Sequence, residues 1–94
     1  SAAEWFSQSL QMKADSNVKS LSILMDYRYP GEWRIENNAL YKGKQQIEGS
    51  TDIVDSFGNM LGGHVTFFRG NTRVATTVQS EGKRSVGTPA SDMV

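Results

Sequence analysis

The chain has 94 residues, no cysteine, and ten basic against ten acidic residues. This length suits one small domain. Because the charges cancel, no overall field draws the protein to nucleic acid or to an acidic membrane surface, which argues against a nucleic-acid function. The lack of cysteine excludes disulfides, thiolate nucleophiles and cysteine-based metal sites. No apolar run approaches the roughly 20 residues that span a bilayer, and the N-terminus lacks the pattern of a signal peptide.

The first quarter of the chain predicts a long helix. Residues 2–26 contain no Pro or Gly, and their apolar residues recur at mostly helical spacing: Trp5, Phe6, Leu10, Val18, Leu21, Leu24 and Met25. The segment 11–17 is too polar for deep burial. Two arrangements therefore stay open: one amphipathic core helix, or a helix whose first third extends beyond the domain to meet a partner helix.

Two short strands are predicted after a chain reversal at residues 29–31. This Tyr-Pro-Gly sequence ends the helix, because proline disfavours helical angles in the residue before it and glycine supplies a turn. Segments 32–36 and 39–42 alternate apolar and polar residues around an Asn-Asn turn at 37–38. Residues 43–50 are polar and rich in turn formers, which predicts a loop.

A short second helix is predicted next. Thr51 or Asp52 can cap its N-terminus, and Gly62-Gly63 ends it. Its apolar residues are spaced to bury one side: Ile53, Val54, Phe57, Met60 and Leu61.

A hairpin between residues 64 and 78 is the part around which the chain is organised. Segments 64–69 and 72–78 are rich in β-branched and aromatic residues, which favour strands. The Gly-Asn pair at 70–71 can adopt the positive φ of a tight reversal. A two-residue turn there predicts three cross-strand pairs: Phe68–Arg73, Thr66–Ala75 and His64–Thr77.

This register sorts the hairpin into two faces, because side chains alternate along a strand. The first face is mostly apolar and predicts a core contact; it carries Val65, Phe67, Val74, Thr76 and Val78. The second face gathers hydrogen-bond donors around one cation and one aromatic ring; it carries His64, Thr66, Phe68, Arg73, Ala75 and Thr77. The following loop can bring positive charge and a hydroxyl to the rim through Lys83, Arg84 and Thr88. Guanidinium groups bind carboxylates bidentately, so the second face predicts a site for a small anion.

Five short motifs, in order, resemble those of one sensor family. They are Tyr-Pro-Gly-Glu-Trp at 29–33, Leu-Tyr-Lys-Gly at 40–43, Ile-Val-Asp at 53–55, Thr-Phe-Phe at 66–68 with Thr-Arg-Val-Ala-Thr at 72–76, and Gly-Lys-Arg-Ser-Val-Gly-Thr at 82–88. Their order and spacing are similar to those of the single-Cache sensor domains of bacterial methyl-accepting chemotaxis proteins. Related domains precede histidine kinases and cyclic-dinucleotide enzymes, so the output module stays open.

The resemblance implies an α+β, PAS-like extracytoplasmic fold, in which a long N-terminal helix from a transmembrane segment packs on a central antiparallel sheet. It also implies small organic acids or amino acids as ligands on the other face of the sheet. Carried over by position, the pocket residues are Arg73, Thr76 or Thr77, Arg84 and Thr88. We therefore expect a signalling and dimerisation helix over 1–28 and a Cache-like ligand-sensing core over 29–94.

The family continues past a helix that begins near Ala90 with further strands, two of which complete the sheet. These strands are missing here, so the resemblance predicts a domain incomplete at its C-terminus. A sheet edge left open favours dimerisation or strand exchange.

Other interpretations of these residues stay open. Arg73 can instead pair with a surface carboxylate such as Asp55 or Glu48. His64, the sole histidine, can be a ligand, a pH-sensitive switch or a strand-start residue bonded to backbone. Tyr29 lies at the helix-to-strand corner, where it can close over a ligand. One histidine without cysteine or an acidic cluster predicts no metal site, and no cofactor is expected.

The sequence therefore predicts a sensor and not an enzyme, because nothing arranges its Ser, His and Asp residues and no GxSxG elbow occurs. We expect the periplasmic or extracellular domain of a membrane-anchored chemoreceptor, homodimeric through its N-terminal helix. In this hypothesis Arg73 binds a small carboxylate and Phe68 packs on its apolar part. Four residues assist: Thr66, Thr77, Arg84 and Thr88. The hypothesis from another class is a ligand-free dimerisation module.

Overall fold

The computed structural model describes residues 2–7, 10–14 and 18–89. Its strands are β1 Ala2–Ser7, β2 Leu10–Ala14, β3 Trp33–Glu36, β4 Ala39–Lys42, β5 Gln45–Gln46, β6 Val65–Arg69, β7 Thr72–Thr76, β8 Gln79–Ser80 and β9 Lys83–Arg84; its helices are α1 Val18–Arg28 and α2 Asp52–Leu61. The predicted α+β class is confirmed. The predicted helix start near Ala90 lies outside the described residues.

The described residues form three sheets, all antiparallel. The largest has the strand order β1-β2-β6-β7, so β6 is an inner strand with a partner on each side. Strands β3, β4 and β5 form a second sheet, and β8 with β9 forms a small third one. The predicted strand pair after the chain reversal is confirmed as β3 and β4, but β5 lies where a loop was expected.

The predicted N-terminal helix is wrong over its first half. Residues 2–7 and 10–14 form an antiparallel hairpin, and β2 pairs with β6 so that Met12 lies opposite Phe67. Met12 and Ala14 are buried and are separated by a polar residue. This two-residue period is that of a strand. The helix prediction missed it because it rested on the wider spacing of apolar residues over the whole segment 2–26. The segment 1–28 is therefore not one helix, since β2 lies inside the main sheet.

One hydrophobic core joins both helices to the main sheet. Its buried members come from β2, α1, β4, α2, β6, β7 and the loop before α2: Met12, Ala14, Leu21, Met25, Leu40, Ile47, Ile53, Val54, Phe57, Val65, Phe67, Val74 and Ala75. Burying one large apolar side chain contributes about 1.5–3 kcal/mol. The predicted buried side of α2 is confirmed at Phe57, but Met60 is 51% exposed because it lies on the outer side of the helix. Residue Gly62, with φ +75°, ends α2 as predicted.

The Tyr-Pro-Gly and Leu-Tyr-Lys-Gly motifs meet at one corner and act structurally there. Gly31 and Gly43 both have positive φ, and a Cβ on Gly43 would lie 2.1 Å from the carbonyl oxygen of Pro30. The Lys42 ammonium is buried at this corner, where it donates to the carbonyls of Tyr29 (3.0 Å) and Gly31. The sequence predicted neither the close approach of Gly43 to Pro30 nor the burial of Lys42. Together these contacts hold the end of α1 against β4.

A bulge in β7 changes the predicted register of the central hairpin. Phe68 lies opposite Arg73 as predicted, but Phe67 lies opposite Ala75, so Val74 is an extra residue. Bulges of this kind shift every later side chain to the other face. Thr66 therefore faces Thr76, and the predicted Thr66–Ala75 pair is wrong.

Candidate functional site

The second face of the hairpin is centred on a buried arginine. The guanidinium carbon of Arg73 lies 5.6 Å from the centre of the Phe68 ring, within the range of a cation–π contact. Arg73 is 8% exposed and Phe68 is 1% exposed. The hydroxyls of Thr66 and Thr76 lie 2.7 Å apart on the same face and are buried. The face thus combines a cation, an aromatic ring and two hydroxyls. The second hydroxyl is that of Thr76, which was wrongly predicted on the apolar face, and not that of Thr77.

Residues 87–89 return to the outer edge of β7 and cover this arginine. The amide of Arg73 donates to the carbonyl of Thr88 (2.9 Å), and the amide of Gly87 donates to the carbonyl of Arg73 (2.7 Å). Atom Nη1 of Arg73 donates to Thr88 Oγ1 (2.9 Å) and to the Pro89 carbonyl (2.6 Å). Arg73 and Thr88, predicted from separate motifs, are therefore in direct contact. The Thr88 hydroxyl and the Pro89 carbonyl are both neutral acceptors.

The two carboxylates considered as partners of Arg73 bind other arginines. Glu48 accepts from Arg69 through Nε (3.0 Å) and Nη2 (3.3 Å). Asp55 accepts from Arg84 through Nη1 (2.9 Å) and Nη2 (2.7 Å). The hydrogen bond from Arg84 holds the pKa of Asp55 below its usual value, and the bond to Asp55 raises the pKa of Arg84. The hydrogen bond to Glu48 likewise raises the pKa of Arg69.

Two of the predicted site residues, His64 and Thr77, lie together elsewhere, in a cleft beside α2. His64 is exposed, and its Nδ1 lies 3.0 Å from the hydroxyl of Thr77. The bulge explains the position of Thr77, because the shifted register moves it off the face that carries Arg73. These two residues and Asp55, the partner of Arg84, line a cleft of about 490 Å³ whose lining is Asp55, Gly58, Asn59, Gly62, Gly63, His64 and Thr77.

Tyr29 lies apart from both groups. Its ring packs edge-on against Phe57 with centroids 6.4 Å apart. It also lines a cleft of about 670 Å³ at the corner between α1 and β4, together with Arg28 and Lys42. Of the eight predicted site residues, the structure thus brings together Arg73, Phe68, Thr66 and Thr88.

Two further observations concern metal binding and membrane crossing. Within residues 2–7, 10–14 and 18–89, no three His, Cys, Asp or Glu side chains gather in a way that would hold a metal ion. In the same ranges, neither helix is long and apolar enough to cross a membrane.

Comparison with known proteins identifies the family through the C-terminal half of the chain. Residues 45–94 match the family described as single cache domain 3. This region contains α2, the central hairpin and the segment that covers Arg73. Neither a search of curated proteins nor a search of solved structures returns a match. Cache domains are sensor modules that bind small molecules, typically outside the cell.

Proposed function

Because the chain belongs to the single cache domain 3 family, we propose that it is the extracytoplasmic ligand-sensing domain of a membrane-anchored chemoreceptor and binds a small organic acid or amino acid through Arg73. The observation that carries this proposal is the environment of Arg73. Its guanidinium is buried over Phe68 and binds two neutral oxygens, from Thr88 and Pro89.

A carboxylate is the ligand group that improves most on those neutral oxygens. Hydrogen bonds between two ionised groups are about twice as strong as neutral ones, and a guanidinium offers a carboxylate two parallel donors. The ligand carboxylate would replace the Pro89 carbonyl at Arg73. The ring of Phe68 would contact the apolar carbons of the ligand, and the Thr88 hydroxyl would stay within reach of its oxygens.

Signalling follows from that replacement. A ligand shifts a conformational equilibrium only by its different affinity for the two states. A carboxylate on Arg73 favours the state in which Pro89 has left the guanidinium, so it weakens the contact of residues 87–89 with the edge of β7. The bound state would differ in the path of the chain after Gly87.

Homodimerisation through α1, the part of the predicted N-terminal helix that is helical, belongs to the same proposal. Ile23 and Tyr27 lie one turn apart on α1 and are 65% and 82% exposed. Apolar side chains at this spacing form a stripe that a second copy of α1 can cover. The output module that follows is a chemoreceptor signalling region in this proposal; a histidine kinase or a cyclic-dinucleotide enzyme is the alternative.

The test is calorimetric titration of acetate, succinate, L-malate and L-aspartate into the chain and into Arg73→Met. Micromolar binding corresponds to about 8 kcal/mol, and loss of a charge-assisted contact removes about 1.5–3 kcal/mol of it. We expect at least one acid to bind and Arg73→Met to weaken it by roughly 10- to 150-fold. Arg69→Met is the matched control, because it removes a guanidinium from the same hairpin that is committed to Glu48.

A ligand-free dimerisation module is the second candidate. It is favoured by the fact that protein oxygens already occupy Nη1 of Arg73. In that case Arg73 fastens residues 87–89 to β7 and has no other task. Absence of binding by any of the four acids, with an intact fold, would support this candidate over the sensor.

A further inference from the structure

The Ile-Val-Asp motif places an acid, Asp55, in the first turn of α2, away from Arg73. Its carboxylate accepts two hydrogen bonds from the guanidinium of Arg84 on β9, from Nη1 to Oδ1 (2.9 Å) and from Nη2 to Oδ2 (2.7 Å). Atom Nη1 of Arg84 also donates to the carbonyl of Thr76 (3.0 Å), the last residue of β7. Arg84 therefore joins α2 to the strand that carries the proposed site.

Arg84 directly precedes the turn that delivers Thr88. The carbonyl of Ser85 accepts from the amide of Thr88 (3.2 Å) and from its hydroxyl. Thr88 in turn contacts Arg73 through its carbonyl and through Oγ1. A continuous series of contacts thus runs from Asp55 to Arg73. A bidentate pair fixes orientation as well as distance, so it is suited to hold the base of a turn.

We infer that Asp55 is a positioning residue for the proposed carboxylate site. By binding both Nη atoms of the Arg84 guanidinium (its fork), Asp55 fixes the turn at residues 85–88 and holds Thr88 beside Arg73. The effect on a carboxylate ligand rests on the proposed function. The placement of Thr88 rests on the contacts alone. The sequence did not indicate this role, because Asp55 and Arg84 are 29 residues apart.

Amide hydrogen exchange tests the placement without any ligand. The amides of Arg73 and Gly87 bond across the gap between β7 and the covering segment, so their exchange reports opening of that segment. In Asp55→Asn we expect both amides to exchange about two- to fivefold faster, because the pair is partly exposed. Amides of the β3–β4 pair should keep their rates. Arg84→Lys keeps the charge but loses the fork, so it should behave in the same way.

Two comparisons separate positioning from general destabilisation. Asp52→Asn removes an equal charge from the same first turn of α2. The charge of Asp52 helps to raise the pKa of Arg84, but the bidentate hydrogen bonds to Arg84 come from Asp55. Asp52→Asn should therefore change the exchange of the Arg73 and Gly87 amides much less than Asp55→Asn does. The double variant Asp55→Asn/Arg84→Lys should exchange no faster than either single variant, because both remove one interaction. Equal acceleration throughout the sheet, or unchanged Arg73 and Gly87 amides in Asp55→Asn, would overturn the inference.

Titration with acetate, succinate, L-malate and L-aspartate then tests the effect on the ligand. We expect Asp55→Asn to raise the dissociation constant of whichever acid binds by about two- to fivefold, and Asp52→Asn to change it much less. An unchanged affinity in Asp55→Asn would overturn the role in binding. If none of the four acids binds the unaltered chain and the exchange rates still respond to Asp55→Asn, the proposed function fails while the placement of Thr88 by Asp55 stands.

Discussion

The buried hydroxyl pair of Thr66 and Thr76 gives an unusual prediction: removing both hydroxyls costs less than removing that of Thr76 alone. The two Oγ1 atoms lie 2.7 Å apart, and Thr76 Oγ1 also accepts from the amide of Val78 (3.0 Å). Valine has the shape of threonine without the hydroxyl. Each substitution to valine therefore removes hydrogen bonds with little change in volume.

The expected costs follow from the groups left without a partner. Thr76→Val leaves the Thr66 hydroxyl and the Val78 amide without this hydrogen-bond partner. Each such group costs about 1–3 kcal/mol when buried. Because Val78 is only partly buried, we expect a total loss of stability of about 2–3 kcal/mol. Thr66→Val removes one neutral bond and should cost about 1 kcal/mol. The double variant leaves only the Val78 amide without its partner, so it should lower the free energy of unfolding by about 1 kcal/mol.

Urea denaturation and thermal unfolding, both monitored by circular dichroism, give the stability of the unaltered chain and of the three variants. We expect the double variant to be more stable than Thr76→Val, with a melting temperature higher by about 4–8 °C per kcal/mol in a domain of this size. Additive costs would refute the reasoning. Additivity is what a hairpin without the bulge at Val74 predicts, because Thr66 and Thr76 would then lie on opposite faces.

Three further predictions concern the corner at the end of α1 and the pair on α2. Gly43→Ala should prevent folding or lower the melting temperature severely in a thermal scan, because φ is +59° and the new Cβ would lie 2.1 Å from the Pro30 carbonyl oxygen; a stable variant would show the corner to be looser. Lys42→Met should lower the free energy of unfolding measured in urea by about 2–4 kcal/mol, because the carbonyls of Tyr29 and Gly31, just after α1, lose their donor. A change near zero would contradict this. Since the pKa of Asp55 is lowered in the folded state, its stabilising effect is complete above the unfolded value near 3.8 and is lost as pH falls through the folded value. The stability difference between the unaltered chain and Asp55→Asn should therefore shrink below about pH 4 in acid titrations, and a constant difference would contradict the pair.

Local chemistry in the sequence was enough to predict several elements. Proline and glycine at 30 and 31, the Asn pair at 37–38 and the Gly-Asn pair at 70–71 impose turns that tertiary contacts did not override. The pairing of Phe68 with Arg73 needed only that last turn. The class of fold and the family follow from these elements and their motifs.

Long-range pairing was what the sequence did not reveal. The strand at Met12 competes with a helical pattern over the same residues, and only its pairing with β6 decides between them. The bulge at Val74 has no glycine to mark it, so the alternation was carried one residue too far. The partners of Arg69 and Arg84 were open for the same reason, because charge alone does not select among carboxylates more than 20 residues away.

The most direct test of the central claim is to observe the guanidinium of Arg73 while a ligand binds. Nuclear magnetic resonance of the chain labelled with ¹⁵N-arginine resolves each side chain during titration with whichever of the four acids binds. We expect the Arg73 resonances to shift and to saturate at the calorimetric dissociation constant, while those of Arg69 stay fixed. An acid that binds the chain and leaves the Arg73 resonances unchanged would contradict the account.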